Sequence, residues 1–192
     1  MQQIDTVLIV GRPGSGKGTQ AKLLCGRQGW KHFSTGELFK KLRDEDTQLG
    51  HKVREAYDAG KLLPDWFATY LFEHEILELA PEDGIVCDGF PRSLAQAQIF
   101  DEILSWLSRP YAVLDLMVSE EEALRRQLER AKVEHRPDSE SEEKIRVRFR
   151  EYENATRPIL DFFNNKGLVT EIDGEQSPED VERAVAAALG IA

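Results

Sequence analysis

The chain contains few cysteines, fewer basic than acidic residues and no long apolar run. Its two cysteines, Cys25 and Cys87, lie far apart and outside any CxxC pattern, so neither a disulfide framework nor a cysteine-rich metal site is expected. No run of about eighteen apolar residues is present, and the first residues lack the apolar core of a signal peptide. These absences predict a cytoplasmic protein with reduced cysteines and no membrane partner.

The balance of charges restricts the partners further. With 25 basic and 35 acidic residues the formal net charge is −10, whereas a general nucleic-acid binder needs lysines and arginines over an extended surface. We therefore expect no nucleic-acid partner, although a small basic cleft in an acidic protein can still attract a phosphate ligand. The length of 192 residues and the 41% hydrophobic content fit a single domain over residues 1–192, with a monomer as the default.

Short apolar runs alternate with helical patterns along the chain. Such runs are typical of strands that are buried on both faces of a parallel sheet, whereas the apolar residues of 181–189 recur at helical spacing. The alternation predicts an α/β fold with helices on both faces of a parallel sheet and a ligand site beyond the carboxyl ends of the strands. The strand-like runs are residues 6–10, 85–87, 111–118 and 168–172.

Two segments interrupt this alternation. Residues 35–64 have a helical pattern with a break at Asp58-Ala59-Gly60 and no strand pattern, which predicts a small helical insertion. Residues 131–143 are polar, contain Pro137 and lack apolar periodicity. We expect this second segment to be a mobile loop.

A glycine-rich turn follows the first predicted strand. Residues 11–19 read Gly-Arg-Pro-Gly-Ser-Gly-Lys-Gly-Thr, and a helical pattern follows them. Glycines let successive backbone N–H groups point at phosphate oxygens, while Lys17 and the positive end of the helix add charge. Nucleotide binding is the inference, which leaves ATPases, GTPases and small-molecule kinases open. Because Gly18 separates Lys17 from Thr19, the motif does not assign a Mg²⁺ contact to Thr19.

Further motifs along nearly the whole chain give a more specific resemblance. The string from Gly11 to Gln20 resembles the nucleoside monophosphate kinase family, in its adenylate kinase branch with a short lid. Three later matches are Ser34-Thr35-Gly36-Glu37, which is also a capping-box pattern, Asp58-Ala59-Gly60-Lys61-Leu62-Leu63, and Asp88-Gly89-Phe90-Pro91-Arg92 followed by Gln96. The resemblance implies a P-loop three-layer α/β/α fold with a five-stranded parallel sheet. It also implies reversible transfer of the terminal phosphoryl group of MgATP to AMP, giving two ADP.

The resemblance also implies an acceptor site. Thr35 matches the threonine beside the AMP base, where the similar uridylate and cytidylate kinases tend to carry alanine, and Gln96 matches the glutamine that reads adenine. The insertion 35–64 is then the part that binds the monophosphate. The implied AMP-binding residues are Thr35, Gly36, Lys40, Lys61, Leu62, Leu63, Gly89, Phe90, Arg92, Gln96, Arg136 and Arg148.

The donor site and the catalytic residues follow from the same resemblance. Arg126 lies against the ATP base and Arg130 on the phosphates, Arg136 matches the far side of a lid at 131–143, and Asp88 holds Mg²⁺ through water. No structural zinc is expected, because the lid lacks a four-cysteine pattern. The implied ATP-binding residues are Gly14, Ser15, Gly16, Lys17, Gly18, Thr19, Arg126, Arg130 and Gln176, and the implied catalytic residues are Lys17, Arg92, Arg130, Arg136 and Arg148.

Arg148 is also notable from helical spacing alone. It falls on the apolar stripe formed by Ile145, Phe149 and Tyr152. A charge on such a stripe needs a partner, because burying it unpaired is costly. We expect that partner to be a substrate phosphate in a cleft.

Two departures from the family pattern leave alternatives open. Lys40 stands where the family usually has an arginine on the AMP phosphate, and a lysine is a point charge without the bidentate fork. The stretch 131–135 replaces a glycine-containing turn, and Asp138-Ser139 stands where paired aspartates are common. One alternative is a kinase for UMP, CMP or another small phosphate, which Thr35 and Gln96 oppose. The other is a nucleotide-binding regulatory module that has lost transfer activity.

Overall fold

Five parallel strands form the centre of the molecule. The computed structural model describes residues 4–134 and 137–191, and within them the strands lie in the order β2-β3-β1-β4-β5. Every neighbouring pair is parallel, so the predicted five-stranded parallel sheet is confirmed. The strands are β1 (Thr6–Val10), β2 (Lys31–Ser34), β3 (Ile85–Asp88), β4 (Tyr111–Met117) and β5 (Val169–Asp173).

Helices cover both faces of the sheet. Side chains alternate between the two faces along each buried strand, so each face presents apolar side chains that helices can cover. Val7 and Ile9 of β1 pack in one cluster with apolar residues of helices α1 and α9. Leu8 and Val10 pack in the other cluster, beneath α4, α5 and α8. The helices are α1 (Lys17–Gln28), α4 (Asp65–Leu77), α5 (Leu94–Trp106), α8 (Pro158–Asn164) and α9 (Pro178–Leu189).

The predicted helical insertion consists of two helices. Helix α2 (Thr35–Arg43) begins at Ser34, whose Oγ accepts a hydrogen bond from the backbone N–H of Glu37, and helix α3 (Gln48–Asp58) ends just before Gly60, where φ is 68°. The predicted break near residue 60 is confirmed, but a second break at 44–47 was not predicted. The capping box is only half formed, because the Glu37 carboxylate pairs with Lys22 at 2.6 Å.

The polar segment 131–143 is more ordered than a loop. Helix α6 (Glu120–Val133) extends into it, a short 3₁₀ turn spans Pro137–Ser139, and helix α7 (Glu142–Glu151) begins within it. Asp138 is only 4% exposed and Ser139 only 1%. The prediction of a loop is therefore wrong for residues 131–133, 137–139 and 142–143, which are helical, and mobility of this segment remains a prediction. His135 and Arg136 lie outside the described residues.

A crevice is expected where successive connections between strands change from one side of β1 to the other. The chain passes from β1 to β2 and β3 on one side, and then crosses to β4 on the other side of β1. Ligands of open α/β sheets bind at the carboxyl ends of the strands at such a point. No helix within the described residues is long and apolar enough to cross a membrane.

Candidate active site

The phosphate-binding loop joins β1 to α1 at this reversal point. Gly14 and Gly16 have φ values of 95° and 97°, which an L side chain rarely adopts. A Cβ atom on Gly14 would also lie 2.6 Å from the backbone oxygen of Ala123. Glycine is required at position 14 because the loop packs directly on the backbone of α6.

Lys17 extends back across the loop that carries it. Its Nζ donates hydrogen bonds to the backbone oxygens of Gly11 at 2.6 Å and Arg12 at 3.0 Å. Burial lowers the pKa of Lys17 from 10.5 to about 8, while the Asp88 carboxylate opposes this shift and the guanidinium groups of Arg92 and Arg148 add to it. Lys17, Asp88, Arg92 and Arg148 line the same cleft.

The cleft at this edge of the sheet has a volume of about 700 Å³. It is lined by the loop, by the start of α2, by the segment after β3 and by the facing sides of α6 and α7. Most of the predicted donor and phosphate residues therefore lie together. The predicted residues that line the cleft are Gly14, Ser15, Gly16, Lys17, Gly18, Thr19, Gly36, Lys40, Leu62, Asp88, Gly89, Arg92, Arg126, Arg130, Arg148 and Gln176.

A smaller cavity of about 60 Å³ lies beside the main cleft and shares residues with it. It is lined by the turn after α3 and by Gln96. Many of the predicted AMP residues are therefore neighbours in the structure. Those that line the smaller cavity are Gly36, Lys61, Leu62, Leu63, Gly89, Arg92, Gln96 and Arg148.

Two predicted AMP residues border neither cavity. Thr35 is fully buried and its Oγ1 donates to the backbone oxygen of Gly89 at 2.6 Å. Phe90 is also fully buried, with its ring stacked 4.8 Å from that of Phe72. Thr35 thus holds the backbone at Gly89, and the Phe90 ring belongs to the core.

Arg148 has partners from the protein itself. Its Nη1 lies 3.1 Å from the Asp138 carboxylate and donates to the Ser139 hydroxyl at 2.6 Å and to Gln127 Oε1 at 3.1 Å. The Arg148 charge has a partner, as expected from its place on the apolar stripe, but side chains of the protein supply it where a substrate phosphate was expected. The acceptors come from two other elements, and they hold the guanidinium at the wall of both cavities.

The two predicted arginines of α6 differ in how firmly they are held. Arg126 Nε pairs with Glu122 at 2.7 Å, and its Nη1 donates to the backbone oxygen of Gly174 at 2.8 Å. Arg130 is half exposed and pairs with Glu134 at 3.0 Å. Both face the cleft. The prediction for Arg136 falls outside the described residues.

Asp88 meets the requirements of an indirect magnesium ligand. It ends β3 beside the loop, where a Cβ on Gly18 would lie 3.3 Å from Asp88 Oδ2. His32 Nε2 is 3.9 Å from the same oxygen. Mg²⁺ usually keeps several waters and uses one or two carboxylates together with substrate phosphates, so this carboxylate fits. Within 4–134 and 137–191, no cluster of three or more His, Cys, Asp or Glu side chains forms a metal site.

Two residues that support the cleft were missed by sequence reasoning. Asp65 Oδ1 accepts a hydrogen bond from Nε2 of Gln96 at 2.8 Å, and Gln96 Oε1 accepts from the backbone N–H of Arg92 at 2.7 Å. Thr156 lies in a π-helical turn after α7 and donates to the backbone oxygen of Arg92 at 3.1 Å. Pro64-Asp65 is a helix-start signal, but nothing in the sequence links Asp65 to Gln96.

Fold, loop and charged cleft together define a P-loop nucleotide-binding protein of the α/β class. The adenylate kinase family model matches residues 9–168. Among curated proteins, the adenylate kinase of Maricaulis maris is 39% identical over 186 residues, covering 95% of this chain and 97% of the relative. That of Thermus thermophilus is 38% identical over 188 residues, covering 97% of this chain and 98% of the relative. The chain belongs to the adenylate kinase family.

Proposed function

We propose that the protein catalyses reversible transfer of the terminal phosphoryl group of MgATP to AMP, giving two ADP. The observation that carries this function is that Lys17, Arg92 and Arg148 line one cleft at the end of the sheet, where both guanidinium groups lower the pKa of Lys17. The ATP site therefore adjoins a second site that can bind an anion. Phosphoryl transfer needs this arrangement, because its catalysis depends on positioning and charge stabilisation.

The donor half of the site is the loop with the arginines of α6. Backbone N–H groups at residues 14–19 and the N-terminus of α1 hold the phosphates. Lys17 leaves its two backbone acceptors to neutralise the transferring group. Arg126, Arg130 and Gln176 line the same cleft, and they contact the ATP base and phosphates.

The acceptor half is the smaller cavity. The backbone at 61–63 and Gln96 surround the adenine, while Arg92 and Arg148 bind the AMP phosphate through their planar forks. Lys40 lines the main cleft near them and adds a single point charge. The smaller cavity shares Arg92 and Arg148 with the main cleft.

The chemistry needs no general base. The attacking group is an AMP phosphate, which is already an anion at neutral pH, so no proton has to be removed from it. Magnesium, held by the ATP phosphates and through water by Asp88, supplies charge neutralisation when bound. Lys17, Arg92, Arg130 and Arg148 position the two phosphates and stabilise the charge that spreads over the transferring oxygens.

Two segments exclude water from the transferring group, which prevents ATP hydrolysis. These are the insertion at 35–64 and the lid at 131–143. The insertion approaches the helix that follows the lid, which supports this role, since a Cβ on Gly60 would lie 3.2 Å from Arg148 Cγ and 3.5 Å from the backbone oxygen of Lys144 in α7. A cytoplasmic location, a monomeric state and the absence of zinc remain predictions.

The direct test replaces the loop lysine. Lys17→Met should leave a folded protein whose kcat/KM for ADP formation falls at least about 100-fold, because a preorganised charge is lost. Lys52→Met is a matched control, since Lys52 is 75% exposed on α3, and it should keep normal activity. Near-normal turnover in Lys17→Met would rule out the assigned role.

The acceptor is tested with a coupled assay of ADP formation across AMP, UMP and CMP. We expect AMP to have the highest kcat/KM. Preference for UMP or CMP would favour a kinase for another monophosphate. ATP binding without transfer to any acceptor would favour a regulatory module.

A further inference from the structure

We propose that Asp65 determines the specificity for adenine over hypoxanthine by fixing the orientation of the Gln96 carboxamide. This inference rests on the proposed function of Gln96 as the residue that reads the base. It is carried by two hydrogen bonds that connect Asp65 at the start of α4 to Ser93 and Gln96 at the start of α5, and by a third that joins Gln96 to the backbone N–H of Arg92. Asp65 holds the Gln96 amide and does not itself read the base, so it is a positioning residue.

A glutamine amide alone cannot tell the two bases apart. It presents a donor beside an acceptor, and rotation by 180° about its last bond exchanges them. The edge of adenine offers an acceptor at N1 and a donor at the 6-amino group. Hypoxanthine offers the reverse, an N1–H donor and an O6 acceptor. A freely rotating Gln96 would therefore pair with either base, and selectivity needs a group that prevents the rotation.

Asp65 and Arg92 hold the amide in one orientation. Gln96 Nε2 donates to Asp65 Oδ1 at 2.8 Å, and Gln96 Oε1 accepts from the backbone N–H of Arg92 at 2.7 Å. A carboxylate has only acceptors and a backbone N–H is only a donor. Rotation of the amide would place Oε1 against the carboxylate and the amide N–H₂ against another N–H. Both contacts would then be repulsive.

Ser93 fixes the carboxylate in turn. Its hydroxyl donates to Asp65 Oδ2 at 2.8 Å and also caps α5 by accepting from the backbone N–H of Gln96 at 3.3 Å. The Oδ1 atom is thereby left for the amide. Gln96 keeps one N–H and one lone pair, and it lines the smaller cavity. In the proposed complex the N–H donates to N1 of adenine and the lone pair accepts from the 6-amino group. Hypoxanthine is rejected because its pairing would require the disfavoured rotation.

The substitution that isolates this effect is Asp65→Asn. An asparagine amide has the same shape but carries a donor and an acceptor, and the Ser93 hydroxyl can bond to either. Both orientations of Gln96 then have a partner at position 65, and only the Arg92 N–H still favours one of them. We expect the ratio of kcat/KM for AMP to that for IMP to fall about tenfold, mainly because IMP becomes a better substrate.

Glu179→Gln is the matched control, because it removes a negative charge from the first turn of another helix. Glu179 is an exposed acid in the first turn of α9, as Asp65 is in α4. Both substitutions lose a favourable interaction with the helix dipole, so Glu179→Gln should reproduce any general loss of stability. The ratio of AMP to IMP activity should not change in this variant.

The experiment measures kcat/KM with AMP and with IMP for wild type, Asp65→Asn, Gln96→Ala and the double variant. A lower ratio in Asp65→Asn, with no further change when it is added to Gln96→Ala, supports the proposal. A wild-type ratio in Asp65→Asn together with a lowered ratio in Gln96→Ala overturns it, while leaving Gln96 as the base reader. An unchanged ratio in Gln96→Ala overturns the proposed role of Gln96 itself.

A folding check accompanies these rates. The thermal midpoint of each variant shows whether it is folded at the assay temperature. Asp65→Ala is the second variant, because it also removes the acceptor for Gln96 Nε2. Asp65→Asn decides when it is folded, and Asp65→Ala decides when Asp65→Asn is not. A lowered ratio in the deciding variant supports the proposal, and a wild-type ratio in that variant contradicts it.

Discussion

At the scale of single residues, we expect the charge of Lys17 to depend on whether a nucleotide is bound. In the free protein, burial lowers its pKa to about 8, and the nearby Arg92 and Arg148 act in the same direction. A charged lysine is therefore costly in the free fold below about pH 8, and this cost disappears as the pH rises toward the unfolded value of 10.5. A bound triphosphate reverses the balance by favouring the protonated form.

This reversal predicts that binding of MgATP takes up protons. At pH 8 Lys17 is close to half protonated in the free protein, and the bound phosphates raise its pKa well above 8, so uptake should approach about half a proton. Isothermal titration calorimetry in two buffers of different ionisation enthalpy measures this number.

The pH dependence provides the control for this measurement. At about pH 6.5 the lysine is already protonated, and its contribution to the uptake should vanish. An uptake near zero at pH 8 would show that the pKa of Lys17 does not change on binding.

Residues that line the cleft were easier to predict than the residues that hold them. The motifs placed Lys17 and Arg92 correctly at the cleft, because the phosphate loop and the segment after β3 are continuous in sequence. The partner of Arg148 is Asp138 in the preceding 3₁₀ turn, and the partner of Gln96 is Asp65 at the start of another helix. Such pairs depend on how helices pack, and a single sequence contains no signal for them.

At the scale of elements, the insertion depends on a very close approach of its two helices. A Cβ on Gly50 would lie 2.2 Å from the backbone oxygen of Glu45 and 2.8 Å from that of Leu42. Only a glycine lets the start of α3 pack against the end of α2 in this way. The turn at 61–63 follows directly from α3, so the position of the helices sets the shape of the smaller cavity.

Gly50→Ala should therefore weaken AMP binding selectively. The added methyl group forces α2 and α3 apart at a cost of about 1–3 kcal/mol, and the KM for AMP should rise several-fold while the KM for ATP changes little. Steady-state kinetics with each substrate varied in turn measures both values.

Gly26→Ala is the control for this change. Gly26 lies in α1 with no atom within 4 Å of a Cβ position, so alanine should be tolerated and both KM values kept. An unchanged KM for AMP in Gly50→Ala would mean that the packing of α2 on α3 does not shape the AMP site.

The strands differed in how well the sequence predicted them. β1, β3 and β4 are buried on both faces and read as apolar runs, as central parallel strands do. β2 was not predicted from its own residues, because Lys31 is exposed and His32 only partly buried. It lies at the edge of the sheet, where one side of the strand has no neighbour and the apolar pattern is short.

At the scale of the whole molecule, an aromatic cluster supports the acceptor side of the cleft. The ring of Phe100 in α5 lies 5.0 Å from Phe72 in α4, 6.4 Å from Phe90, 5.3 Å from Tyr111 and 6.2 Å from Phe163 in α8. The cluster thus joins three helices to the segment that carries Arg92. Sequence patterns predicted these layers, but not which rings meet.

Phe100→Ala tests how much stability this cluster provides. Phe100 is fully buried, and removing such a ring costs about 3–5 kcal/mol, which corresponds to a fall of roughly 6–20 °C in the thermal midpoint of a protein of this size. Trp106→Ala in the same helix is the control, because Trp106 is 77% exposed and its loss should move the midpoint little. Differential scanning calorimetry measures both variants. Equal midpoints would mean that the region around Phe100 collapses to fill the space, and that the layers on this face of the sheet do not depend on the aromatic cluster.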